Sequence, residues 1–240
     1  MSMFTIVICC YNAESFLGKC FESIVVQNNP NFKVLFVDDA SDDASLAIAE
    51  RYSAGLHDCK IIHHAENKGL VFSCNEALAQ IETPYFLRLD ADDYLTCDAA
   101  ESVIMELRKI GTRDFVVFPR WDEWKERKAA FEVGKDMYDW IAAGTLFKTE
   151  AVKLVGGYSN EHWEEYDLYL KLLQSGYDYK ISPFRIYYYR RGEVSMTKDP
   201  EANARGVEQM INKWGYGVLN KYGRFEKINE YYNRISTIFA

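Results

Sequence analysis

Short apolar runs alternate with longer segments of helical spacing over the first 110 residues of this chain, and few architectures accept such a pattern. The runs fall at 4–10, 32–37, 60–63 and 85–89, the third shorter and less apolar than the others. Between them, residues 14–26, 42–52, 70–81 and 98–110 carry apolar positions at helical intervals. Strand, helix, strand, helix at this pitch predicts βαβ units with right-handed crossovers and a parallel sheet. Strands apolar at nearly every position fit a sheet covered on both faces. The expected fold class is therefore α/β, a Rossmann-like and mostly parallel central sheet flanked by helices. Asn12 is placed to cap the first helix and Ser41 to Asp43 the second, while Gly69 precedes the third.

Beyond residue 112 the pattern loosens. A strand is expected at 115–118, a charged helix at 121–131, a short extended piece at 144–147 and a brief helix at 149–155 closed by Gly156 and Gly157. A helix at 161–175, strands at 179–181 and 185–189, and helices at 200–222 and 225–237 complete the reading. The expected organisation is a catalytic domain over 1–199, with a nucleotide-binding part (1–112) and an acceptor part (113–199), then a helical extension over 200–240.

A net charge of −8 argues against nucleic acid as the main partner, because a phosphate backbone demands clustered cations. An acidic protein can still bind a nucleotide when a divalent cation bridges the two. Six cysteines without a C-x-x-C pair are expected to be reduced and mostly buried. The first apolar run is strand-length and lacks a basic leader, and no window is apolar over the roughly 20 residues a membrane span needs, so a cytoplasmic setting is expected.

Four polar groups fall at the carboxyl ends of the expected strands, where open α/β sheets bind ligands. They are Tyr11-Asn12, Asp38-Asp39, Asn67-Lys68-Gly69 and Asp90-Ala91-Asp92-Asp93. Three carboxylates within four residues repel one another, and a hard cation such as Mg2+ or Mn2+ would relieve that; a solvated acidic turn is the alternative. Asp42 and Asp43 are accounted for by helix capping, but Asp38 and Asp39 end a strand, where a carboxylate can accept from the N–H edge of a base. Tyr11 could stack on that base or belong to the core.

In order and spacing these motifs resemble those of family 2 glycosyltransferases with a GT-A fold. That family carries a strand ending in Y-N, then D-D-G-S-x-D, N-x-G-x-x-x-A-x-N and D-x-D-D. Here they read Tyr11-Asn12, Asp38-Asp39-Ala40-Ser41-Asp42, Asn67 through Gly69 to Asn75, and Asp90 to Asp93. The stretch Glu164-Glu165-Tyr166-Asp167-Leu168 is similar to the family's E-D-x-D-L helix, so the likeness covers about residues 4–197. It implies inverting transfer of a sugar from a nucleotide-diphosphate donor, usually a UDP sugar, to an acceptor hydroxyl on a carbohydrate or lipid-linked molecule. It implies Tyr11, Asn12, Glu14, Asp38, Asp39, Asn67, Gly69, Asn75 and Asp90 as donor contacts, and Asp90, Asp92 and Asp93 as holders of Mn2+ or Mg2+. The general base would be Glu165, which replaces the family's Asp, with Asp167 and Glu164 as alternates.

Two departures stand out. Glu for Asp adds a methylene at the base, and the family's Y-R-x-H reads Tyr189-Arg190-Arg191-Gly192 without its His. Arg190 and Arg191 could neutralise diphosphate instead. A non-catalytic sugar-nucleotide module and a nucleotidyltransferase are the rival readings; the second lacks a glycine-rich loop after the first strand. The C-terminal region holds 11 Lys/Arg against six Asp/Glu from residue 180 onward. Its aromatics, Trp214, Tyr216, Tyr222, Phe225, Tyr231, Tyr232 and Phe239, would pack on the catalytic domain or on a second copy in a homodimer. Alternatively they would seat the protein peripherally on an anionic membrane.

Overall fold

In a computed structural model, the structure describes residues 2–191 and 199–228. A seven-stranded sheet forms its centre, in the order β10-β6-β9-β4-β1-β2-β3. β1 (Phe4–Cys10), β2 (Phe32–Asp38), β3 (Cys59–His63) and β4 (Tyr85–Arg88) are parallel neighbours, with β1 between β2 and β4. β6 (Phe115–Val117) and β10 (Tyr179–Ile181) are parallel to each other, and β9 (Thr145–Lys148) runs antiparallel to both β4 and β6. The alternation of β1 explains its all-apolar sequence. Ile6, Ile8 and Cys10 join one core with Leu17, Phe21 and Ile24 of α1 (Glu14–Val25), while Val7 joins the other with Cys74, Ala77 and Leu78 of α3 (Leu70–Gln80). Each such large side chain contributes roughly 1.5–3 kcal/mol on burial. α2 (Ser45–Ser53), α4 (Ala99–Arg108), α5 (Thr149–Leu154) and α6 (Glu164–Gln174) match the expected helices to within a few residues. No disulfide forms, and of the six cysteines only Cys97 is exposed.

The charged segment 121–131 is a hairpin, not the expected helix. β7 (Arg120–Trp124) and β8 (Arg127–Phe131) pair antiparallel, joined by Lys125 and Glu126. Both turn residues have positive φ, 46° and 67°, as a type I′ turn requires. The helical reading failed because Arg120 and Asp122 are buried, bonded to each other at 3.0 Å, so charge there does not signal solvent. With β5 (Tyr94–Leu95) and β11 (Tyr187–Arg190) the hairpin makes a second sheet, ordered β5-β11-β7-β8.

α7 (Pro200–Leu219), N-capped by Asp199 and broken at Gly215, lies against α6. The described part of the C-terminal region packs on the catalytic core. Phe225 is buried beside Tyr138, and Trp214 and Tyr222 are part-buried in the same cluster. Tyr216 is the exception, exposed at 59%. Tyr231, Tyr232 and Phe239 lie outside the described residues, as does most of the helix expected at 225–237. Among the described residues no helix is long and apolar enough to cross a membrane.

Candidate active site

Strand order runs outward from β1 to β2 and β3, then returns to β4 on its other side, so the crevice for a ligand opens above β1 and β4. Tyr11, 53% exposed, stands at its floor where β1 ends. The loops after β1 and β2 are stitched together by five hydrogen bonds. The backbone N–H groups of Asn12, Ala13 and Glu14 donate to Ser41, Ser45 and Asp43, and those of Asp42 and Ala44 donate to Asn12 and Glu14. Asn12 does not cap α1 and takes φ 50°, whereas Asp43 accepts the Ser45 N–H that opens α2 as well as the Glu14 N–H of α1.

Asp38 and Asp39 each meet a histidine that the sequence reading passed over. Asp38 pairs in register with His63, and its Oδ2 is 2.8 Å from His63 Nδ1. Its Oδ1 is buried with no partner. Asp39 Oδ1 lies 2.6 Å from Nδ1 of buried His64, whose Nε2 is 2.7 Å from Glu76. Asp39 also accepts the backbone N–H groups of Lys68 and Gly69, at 2.9 and 2.7 Å, fixing the loop where Gly69 takes φ 87°. Burial would raise the Asp39 carboxyl, but these donors and His64 outweigh it and hold it below the ordinary carboxylate range. Two adjacent histidines ending the strand beside Asp38-Asp39 are the signal that could have found this pairing.

After β4 the chain turns through Asp90, Ala91, Asp92 and Asp93, with the Asp93 N–H on the Asp90 carbonyl at 3.0 Å. Burial and then the Asp90 charge push Asp92 up to about 6, although its side chain still reaches solvent. Asp93 is buried and raised further, by burial first and by both neighbours next. Its Oδ1 accepts from the Arg190 N–H at 2.8 Å, and its Oδ2 has no partner. Crowded oxygens with an unsatisfied acceptor suit a hard cation. Among the described residues no three His, Cys, Asp or Glu side chains enclose such an ion alone, so its remaining ligands would come from water and substrate.

Arg88 ties this turn to α6. It is buried in β4, donating from Nε to Asp90 at 3.0 Å and from Nη1 to Glu164 at 2.9 Å. A charged residue inside an otherwise apolar strand was its signal in the sequence. Glu165, half-buried beside Glu164, pairs with no cation among the described residues; burial and then the Glu164 charge hold its carboxyl well above the ordinary value. The other candidates are committed elsewhere. Burial would raise Asp167, but Lys213, Ser159, Trp214 and Lys171 hold it low, and it docks α7 through Lys213 at 2.8 Å and Trp214 at 2.9 Å. Asn75 spends its amide on both backbone groups of Tyr158, at 2.9 Å each. Arg191, expected to neutralise diphosphate, is buried against Asp122 at 2.9 Å. Arg190 lies between Glu123, 3.9 Å away, and the Phe16 ring. Asn67 is exposed on its loop, and Gly192 lies outside the described residues.

The profile of Glycosyl transferase family 2 matches residues 5–145, more than half of the chain. The chain belongs to that family. Its relatives include the teichoic acid poly(glycerol phosphate) polymerase of Staphylococcus epidermidis, 34% identical over 50% of this chain and 16% of that protein. EpsE of Bacillus subtilis, a proposed glycosyltransferase, is 30% identical over 70% of this chain and 65% of its own length. The chain thus spans under two thirds of either relative. Among solved structures, S. aureus TarS (residues 1–349) in complex with UDP-GlcNAc superposes with TM-score 0.75 at 18% identity, covering 98% of this chain and 75% of that one. The mannosyltransferase PcManGT of Pyrobaculum calidifontis, in complex with GDP-Man and Mn2+, gives 0.69 at 16% identity, covering 88% and 64%. At such identities the likeness is one of fold, and the fold is GT-A.

Proposed function

We propose that this chain transfers a sugar, with inversion, from a UDP-type donor to an acceptor hydroxyl in the assembly of a cell-surface polymer. One observation carries the reading: Arg88 joins the acidic turn at Asp90 to the head of α6 at Glu164, so the leaving-group end and the proton-accepting end form one constellation. The relatives named as a teichoic acid poly(glycerol phosphate) polymerase and a poly(ribitol-phosphate) beta-glucosyltransferase support the choice of product class.

In this reading Tyr11 supports the base, the Asp38–His63 and Asp39–His64 pairs and the 67–69 loop line its edge, and Asp90 and Asp92 hold Mn2+ or Mg2+ with Asp93 beside them. A cation bound there would supply charge stabilisation for the departing diphosphate. Arg190, anchored through its backbone to Asp93, stands where it can add positive charge. Glu165 takes the proton of the attacking hydroxyl as the bond to the anomeric carbon forms. Its raised pKa makes it a stronger base than an ordinary carboxylate, and Arg88 holds Glu164, leaving Glu165 without a cation among the described residues. Asp167, already paired, is not the base.

Titration calorimetry with UDP, with and without Mn2+, run beside a nucleotide-sugar hydrolysis panel, tests this. UDP binding strengthened by Mn2+ together with slow hydrolysis of one donor is expected. Binding with no turnover in the presence of acceptors would favour a sugar-nucleotide-binding module instead.

A further inference from the structure

The second sheet carries two rows of side chains across one face. Tyr94, Tyr188, Trp121 and Ala130 are direct cross-strand neighbours on β5, β11, β7 and β8. The rings of Tyr94 and Tyr188 stack at 4.6 Å, and Tyr188 and Trp121 at 6.3 Å. The next row on the same face is Arg190, Glu123 and Lys128. Cations border the rings: Lys19 lies 3.7 Å from the Tyr94 centroid, Lys128 4.1 Å from Tyr188 and Arg185 5.3 Å from Trp121. Glu123 is shared by Lys19 and Arg190, and Arg185 meets Glu132. Among the described residues, exposed Lys128 has no carboxylate within ion-pair distance.

We infer that this face seats an anionic acceptor chain, a carbohydrate or polyol polymer bearing phosphate or carboxylate groups at intervals; this rests on the glycosyltransferase reading above. Part-exposed Tyr188 and Trp121 offer apolar contact to such a chain, and the ammonium and guanidinium groups lying over the stacked rings meet its anions. Cations outnumber carboxylates here although the chain as a whole is at −8, which is charge complementarity confined to one patch. The rows also lead to the reaction centre, because Arg190 in the second row donates its backbone N–H to Asp93. A lipid surface fits less well. Membrane seating needs exposed apolar side chains, and the exposed large ones among the described residues include none on β5, β7, β8 or β11.

The test is binding of the full chain to oligogalacturonate, short-chain polyphosphate and neutral maltohexaose, and to phosphatidylglycerol vesicles. At least one anionic oligomer should bind about tenfold more tightly than maltohexaose, the worth of one charge-assisted contact. Lys19→Glu and Lys128→Glu should each remove that preference, exposed Lys128→Glu at an unchanged melting midpoint, and Lys128→Arg should keep it. Equal binding of charged and neutral oligomers, or a preference that survives both charge reversals, would overturn the proposal. So would charge reversals that abolish vesicle binding while no oligomer binds. UDP calorimetry on the same samples separates the two claims. UDP binding without oligomer preference sinks this surface alone, and oligomer preference without UDP binding sinks the parent reading.

Discussion

Glu164 and Glu165 differ in one respect that gives them separate tasks: Arg88 pairs with the first and not the second. A carboxyl whose folded pKa is raised favours the fold while protonated and opposes it once ionised, so its contribution is lost as pH rises through the folded value. Glu165→Gln should therefore melt higher than the wild type at alkaline pH, with the gap closing as pH falls; a melting series across pH reads this directly. The transfer rate should show an acidic limb above the usual carboxylate range. Glu164→Gln should move that limb to lower pH by removing the neighbouring charge, and a limb that does not move would dissociate the pair. Both acids stand out in the sequence as a helix start, and Arg88 as a charge in an apolar strand, but their pairing across 76 residues is legible only after β4 and α6 are brought together. His64 is similar. Placed between Asp39 and Glu76, it takes one partner from each when lost, leaving Asp39 to the Lys68 and Gly69 N–H groups alone. His64→Phe is expected to cost about 3 kcal/mol and loosen donor affinity more than kcat, as read from melting and from KM against kcat.

Strands and helices before residue 112 were legible because their apolar period is nearly uninterrupted. The hairpin at 120–131 was not, because its alternation runs through charged residues whose partners lie on β11 and beyond. Gly144 shows another contact that only the assembled sheet reveals. It bonds to the Arg88 carbonyl at φ 72°, and a Cβ there would stand 2.1 Å from the Tyr187 ring. Gly144→Ala combines backbone strain with overlap between the two sheets and should cost about 3 kcal/mol, lowering the melting midpoint by roughly 5–10 °C.

Across the whole molecule, the central sheet with its helices and the described C-terminal region share a core. Asp167 of α6 grips Lys213 and Trp214 of α7, and Asp136 holds Arg224 at 2.7 Å. Aromatic and basic residues in the C-terminal region suggested a membrane seat as readily as packing, and composition could not choose; buried Phe225 and the bonded Trp214 show packing for the described part. Lys213→Ala is expected to destabilise the chain by about 1–2 kcal/mol while leaving UDP affinity unchanged. The central claim is that one unpaired carboxylate, facing a donor held at the acidic turn, does the proton transfer. Measuring sugar transfer and UDP affinity in Glu165→Gln and Asp167→Asn tests it most directly. The account predicts that Glu165→Gln loses about 10²–10⁴-fold in rate with UDP affinity intact, while folded Asp167→Asn still turns over. An active Glu165→Gln beside a well-folded but dead Asp167→Asn would contradict it.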